Sequence, residues 1–161
     1  MGVVRSLKNV VLVNSNNMKV GSYNIIHHSN TFGDKTVIGN FCEIGKNNKI
    51  GNSILQGRVR IADNCIIEDD VIIKYGAILT SKVTIKKGTL IGPNTITIGS
   101  THERKTIHGT TIGRDCFIGA GTKIAAGVQI CDGVTTGANS FVNRDITEAG
   151  LYVGTPVKKI R

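Results

Sequence analysis

A period of six residues governs this chain. Counting from Ile112, every sixth position reads Ile112, Ile118, Ile124, Ile130, Thr136 and Val142, and only Thr136 is not aliphatic. Four places after each of the first five stands a small or β-branched residue: Cys116, Thr122, Val128, Val134 and Ser140. No α-helix can bury such a set, because residues six apart lie roughly 240° apart around its axis. On a strand, residues i, i+4 and i+6 do share a face, but a flat sheet asks only for period two. A strict six needs a geometry that itself repeats every six residues. A coil with flat faces and a corner in each hexad meets that need. Each aliphatic side chain then stacks over its counterpart in the next coil, and glycine or a polar residue takes the corner, where φ can be positive.

The same period runs through most of the chain. A first phase reads Val20, Ile26, Phe32, Ile38, Ile44 and Ile50, with glycine after all but Ile26. The next aliphatic residue, Leu55, comes one residue early. A second phase then reads Leu55, Ile61, Ile67, Ile73, Leu79, Ile85 and Ile91. Across the three phases 18 of 19 hexad positions are aliphatic or Phe, which chance cannot supply at 40% hydrophobic composition. Thr97 and Ile98 extend the second phase by one near-phase hexad. The repeat then breaks once, at Ser100–Thr110 (STHERKTIHGT), a polar segment with two of the four histidines, His102 and His108. Insertions in solenoids emerge as loops, often on the binding face, so chemistry is expected there. Residues 1–19 carry no hexad phase and are expected to cap the first coil. Residues 20–147 form the β-helix, and 148–161 form a tail ending in Lys158, Lys159 and Arg161. The expectation is one all-β domain.

No apolar run approaches the ~18 residues of a membrane span. The short run Val10–Val13 is too brief for a signal-peptide core, so a cytoplasmic protein is expected. The cysteines Cys42, Cys65, Cys116 and Cys131 form no CxxC pair. Three of them fall on the small inward position of a hexad, which reads as buried free thiols rather than disulfides or metal ligands. A net charge of +9 asks for an anionic partner. Nucleic acid is disfavoured, because basic clusters interleaved with aromatics are missing from the sequence. A small molecule bearing phosphate fits the charge.

Hexads of this form resemble those of the hexapeptide-repeat acyltransferases, which implies a left-handed parallel β-helix with one loop insertion around residues 100–110. The segment LIGPNTITIGSTH, Leu90 to His102, is similar to the stretch leading to the catalytic histidine in the maltose, galactoside and sugar O-acetyltransferase branch. IGAG, TGANSFVNRD and GTPVKKIR resemble that branch's acetyl-CoA-binding coils and closing motif. The resemblance implies an acetyl-CoA-dependent O-acetyltransferase acting on a saccharide or nucleotide-linked sugar, assembled as a homotrimer with its site between subunits. His102 then matches the catalytic base. Ala120 and Ala138 match residues whose backbone meets the pantetheine arm or thioester. Asn143 and Arg144 match a pair near the cofactor, and Lys158 and Arg161 match basic residues that meet the coenzyme A phosphates. The chain departs from the branch at Glu103, where relatives often have Pro, and it lacks a clear counterpart of the Asn and Asp that hold the acceptor.

Three other readings stand beside this one. The acceptor atom could be the nitrogen of an amino sugar. A metalloenzyme of the γ-carbonic-anhydrase type shares the fold and is similar in IHGTTIG and LYVGTPVKKIR. Its zinc takes three histidines, two of them five apart, whereas His102 and His108 are six apart and Leu55–Ile91 holds none, so no metal is expected. A non-catalytic scaffold is the third. His27 and His28, and the acidic run Glu68, Asp69 and Asp70, are read as surface and corner residues.

Overall fold

The computed structural model describes residues 17–100 and 109–161. Each hexad folds as the period requires. Two residues form a strand, the second points inward, and the remaining four turn a corner. Thus Lys19–Val20, Ile25–Ile26 and Thr31–Phe32 lie on three successive faces, and the chain returns to the first face at Val37–Ile38. Parallel pairing joins each strand to the one a full turn later, as in Ile72 to Leu90 and Ile73 to Ile91. The result is a three-sided prism of about seven turns, the expected left-handed parallel β-helix. Its faces are a nine-stranded sheet A beginning at Lys19–Val20, a seven-stranded sheet B beginning at Ile25–Ile26 and a six-stranded sheet C beginning at Thr31–Phe32.

The core is the stack of hexad aliphatics. Ile38, Ile44, Leu55, Ile61, Ile67, Ile73, Leu79, Ile85, Ile91, Ile112, Ile118 and Ile124 are all below 2% exposed. Each such side chain contributes roughly 1.5–3 kcal/mol through removal from water. Between them the small inward positions are buried as expected, Cys42, Cys65 and Cys116 included. Where that position is Asn or Thr, it serves the backbone. The Asn30 amide donates to the carbonyls of His27 and Gly45, both at 2.7 Å, and its Oδ1 accepts from the Asn48 N–H. Thr97 is fully buried, so the second phase runs on in register to that residue before the insertion.

Corners make the second demand on the sequence. The third corner residue between sheets A and B has positive φ in every turn: Tyr23, Phe41, Arg58, Gly76, Asn94, Gly121 and Asn139. Glycine and asparagine hold this left-handed conformation cheaply, while Tyr, Phe and Arg do not. The early step at Leu55 is absorbed at a corner between sheets C and A, where Gly51 to Ser53 turn the chain in one residue fewer. After Val142 the repeat relaxes, but Ile146 is still buried and bridges to Ile130. Gly150–Val153 then adds to sheet A, and Lys158–Lys159 pairs back onto it antiparallel. Val157 plugs the end of the stack at 2% exposure.

Candidate active site

The described chain leaves sheet B after Ile96–Thr97 and rejoins sheet C at Thr111–Ile112, so the two ends that flank residues 101–108 belong to the corner between those sheets. His102 and His108 lie outside the described residues. At the foot of the insertion, sheet B carries a groove of about 380 Å³ lined by Arg60, Ala62, Ile78, Thr80, Ser81 and Gly99. A second hollow of about 280 Å³ continues it through Arg60 and Ala62 toward Glu43 and His27. Arg60 and Glu43 pair across adjacent coils, Nε to Oε2 at 3.3 Å. Thr80 and Thr97 share a hydrogen bond of 2.9 Å between their hydroxyls. Sequence reasoning missed this groove, because its lining residues point outward from the sheet and lie about three hexads apart.

The two alanines occupy one edge of the prism. Ala120 and Ala138 are both exposed and stand one coil apart on the corner between sheets A and B, where the Ala120 carbonyl accepts from the Asn139 N–H at 2.7 Å. Their neighbours Gly119, Gly121 and Gly137 add no side chains of their own to this stretch of edge, where Asn139 Oδ1 lies against Gly121 and Val153 against Gly137. Gly119 is also required by packing, since a Cβ there would meet the backbone of Thr136, Gly137 and Ala138. At many corners a side-chain oxygen from the next coil caps the second corner N–H. Asp63 caps Lys46 in this way, Asp69 caps Asn52 and Asp132 caps Arg114, each at 2.7 Å. Ala138 cannot do this for Ala120. Among the described residues neither the Ala120 N–H nor the Ala138 N–H has an acceptor. Two backbone donors thus sit one coil apart on an edge built of glycine and alanine.

The remaining candidates lie elsewhere on the prism. Asn143 and Arg144 are exposed on the corner between sheets B and C, two coils beyond the insertion on the same corner. Lys158 sits on the closing strand opposite Val153, and the Arg161 carbonyl accepts from the Leu151 N–H at 2.9 Å. Among the described residues Lys159, not Lys158, is engaged by a carboxylate: Nζ lies 2.9 Å from Glu148 Oε2. That hydrogen bond pushes the lysine pKa up and the glutamate pKa down. The described candidates therefore line two edges of sheet B and the closing end of sheet A, and form no single cluster among the described residues. The acidic run is structural. Asp69 Oδ1 caps Asn52, Glu68 Oε2 accepts from the Lys87 N–H at 2.9 Å, and Asp70 pairs with Lys87 at 3.4 Å. Among the described residues no three His, Cys, Asp or Glu side chains converge on a metal site.

Residues 109–144 match the family model described as bacterial transferase hexapeptide (six repeats). The chain is a hexapeptide-repeat β-helix. It is 40% identical over 63 residues to the bifunctional protein GlmU of Nitratidesulfovibrio vulgaris, a match covering 39% of this chain and 13% of that protein. Among solved structures it is similar to the acetyltransferase domain of PglB from Neisseria gonorrhoeae in complex with acetyl coenzyme A, with TM-score 0.61 and 21% identity over 85% of this chain and 57% of that one. It is also similar to a variant of GDP-perosamine N-acetyl transferase from Caulobacter crescentus in complex with CoA and GDP-perosamine, with TM-score 0.60 and 23% identity over 88% of this chain and 56% of that one. The chain thus spans about one eighth of the curated relative it matches and little more than half of these solved chains.

Proposed function

We propose that the chain transfers an acetyl group from acetyl-CoA to a hydroxyl of a saccharide or nucleotide-linked sugar. The observation that carries this reading is the small-residue edge at Ala120 and Ala138, with its two uncapped N–H donors inside the stretch that matches the transferase repeat. A slender pantetheine arm can lie against backbone only where side chains are absent. Donors fixed on a rigid coil can receive the oxygen of a thioester carbonyl as it takes on negative charge. The chemistry needs little else, since a thioester is already activated. His102 takes the proton of the acceptor hydroxyl as its oxygen attacks the thioester carbonyl. The tetrahedral oxyanion is held by N–H donors near Ala120 and collapses with loss of the CoA thiolate, which regains the proton from the imidazolium. A histidine near its ordinary pKa of ~6.5 suits this base and is commonly worth ~10²–10⁴-fold. Asn143 lies near the cofactor, and Arg144, Lys158 and Arg161 supply cations for its phosphates.

The resemblance to the hexapeptide-repeat acyltransferases adds assembly of three copies, with the site completed between them. The nitrogen acceptor is the second reading, favoured by the likeness to the GDP-perosamine N-acetyl transferase. The test is replacement of His102 by Ala. Thiol release from acetyl-CoA in the presence of sugars, amino sugars and nucleotide sugars should fall by at least ~10²-fold. The thermal stabilisation given by acetyl-CoA should persist, because binding to the folded state alone raises the melting temperature. Unchanged turnover removes His102 from the mechanism, and absence of any stabilisation of the wild-type chain by acetyl-CoA removes the transferase reading.

A further inference from the structure

We infer that the edge between sheets A and B at Asn40, Gly57 and Arg58 is an oxyanion-binding subsite, taking the carboxylate or phosphate of a small ligand. Side chains from four successive coils meet there. The rings of Tyr23 and Phe41 stack with centroids 5.1 Å apart and planes within 7°. The Arg58 guanidinium carbon lies 5.9 Å from the Phe41 centroid and 5.8 Å from that of Tyr75, so the cation is clamped between two rings. Gly57 leaves room for this arrangement, since a Cβ there would crowd the Asn40 carbonyl oxygen at 3.2 Å and the Tyr75 ring at 3.3 Å. A groove of about 420 Å³ opens beside the clamp, lined by Gly39, Asn40, Phe41, Gln56, Gly57, Arg58 and Tyr75.

What this groove offers is positive. Among the described residues no carboxylate pairs with Arg58, whereas Arg60, two residues on, is paired with Glu43. A guanidinium clamped on both faces keeps its N–H edge for a planar or tetrahedral oxyanion, and clamping lowers the entropy lost on binding. The rings expose their edges, which carry the positive part of the aromatic quadrupole. The backbone N–H groups of Asn40 and Gly57 have no acceptor among the described residues. The Ser22 N–H on the same edge is capped by Asn40 Oδ1 at 2.7 Å, and Gln56 Oε1 accepts from the Tyr75 N–H at 3.3 Å. Both amides therefore present their N–H₂ groups as further donors.

The backbone adds an independent observation. Tyr23, Phe41 and Arg58 hold φ of 60°, 59° and 56°, where most other non-glycine corner residues of this conformation are Asn or Asp, such as Asn47, Asn64 and Asn94. Large exposed side chains kept at strained positions, where asparagine would sit more easily, mark a site rather than a packing need. A nucleic-acid strand fits less well, because bases stack on open ring faces. Here the facing surfaces of Tyr23 and Phe41 cover each other, and Arg58 fills the space between Phe41 and Tyr75. The inference does not rest on the transferase reading, and it requires neither acetyl-CoA nor residues 101–108.

The test is binding to the full chain at low salt near neutral pH, followed by amide NMR. The probes are glucose 1-phosphate, glucuronate, glucose as the neutral control and a short oligothymidylate. At least one of the two anions should bind, moving the Asn40 and Gly57 amide signals, and which of them binds tells phosphate from carboxylate. Glucose should not bind. Arg58→Gln should weaken the anion roughly tenfold or more, and Arg58→Lys should also weaken it because the fork is lost. Tyr75→Leu, which opens the clamp while keeping the cation, should weaken it several-fold and serves if the Arg58 variants fold poorly. The subsite is overturned if neither anion binds, if glucose binds equally, if the Asn40 and Gly57 amides stay put, or if folded Arg58→Gln binds as well as wild type. It is also overturned if only the oligothymidylate binds through Arg58.

Discussion

At the scale of single residues, the inward small position decides how the thiols behave. Burial pushes the Cys65 thiol up to about 11, because a thiolate there would lose its water; the Val83 and Lys82 backbone offsets this only in part. Cys42 and Cys116 are raised for the same reason. The sign of the linkage follows. Below pH ~9 the thiol is protonated in both folded and unfolded chain, and stability is intact. Between the unfolded value of 9.0 and about 11 the unfolded chain ionises first, so stability falls as pH rises through that window. The Cys65 part of the loss is roughly 2–3 kcal/mol at most, from about 1.4 kcal/mol per pKa unit. Valine stands one coil on, at Val83, so Cys65→Val fits the stack. Melting curves from pH 8 to 11 should show a shallower alkaline decline for Cys65→Val than for wild type; parallel curves would remove burial of this thiol as the cause. Half-buried Cys131 should react first with a thiol reagent at neutral pH, well ahead of the three buried cysteines.

At the scale of the coil, stability is carried by neighbours. Ile73 is fully buried and stacks between Leu55 and Ile91, one turn to either side. Ile73→Ala leaves a cavity that adjoining coils cannot close without losing register, so a loss of ~2–5 kcal/mol is expected from urea unfolding. Ile26→Ala in the first turn, where the side chain is already 5% exposed, should cost less and raise hydrogen exchange only near that end. Equal costs at the two sites would mean that the coils do not couple as a one-dimensional stack. This layer was legible in the sequence because stacking imposes one residue class at one spacing, and Ile112, Ile118 and Ile124 advertise it. The corner chemistry was less legible. Phe41, Arg58 and Tyr75 are seventeen residues apart, with the short step at Leu55 between the first two, and no local window holds more than one of them. The interleaving of cation and aromatic that the linear sequence lacks is built by winding. Ala120 and Ala138 could be picked out by resemblance, but their uncapped N–H groups show only once the next coil is in place.

At the scale of the whole molecule, the three faces differ in what they show to the outside. The outward residues of sheet C run Thr31, Lys49, Ile66, Thr84, Thr111 and Gln129, mostly polar. Those of sheet A run Lys19, Val37, Ile54, Ile72, Leu90, Phe117, Thr135 and Leu151, apolar from Val37 to Leu151 at all positions but Thr135. At ~4.8 Å per coil this is an apolar column ~29 Å long, more than an isolated soluble chain usually leaves to water. Ile54 and Phe117 are 43% and 49% exposed in the single chain. An outward strand position contributes nothing to the hexad core, so aliphatic choices repeated there answer to another surface. A second copy supplies one, and assembly of three copies, the number the hexapeptide-repeat resemblance implies, would bury the column between them. Ile72 and Leu90 sit at the middle of the column. The double change Ile72→Glu, Leu90→Glu would place two carboxylates from each copy in the buried centre, where burying an unpaired charge costs several kcal/mol. Sedimentation should then show wild type as three protomers and the variant as one, with the same far-ultraviolet dichroism because the core columns are untouched. A wild-type chain that sediments as a monomer would leave the column of sheet A without a partner of its own kind. A variant that stays assembled would place the contact on sheet B or C instead.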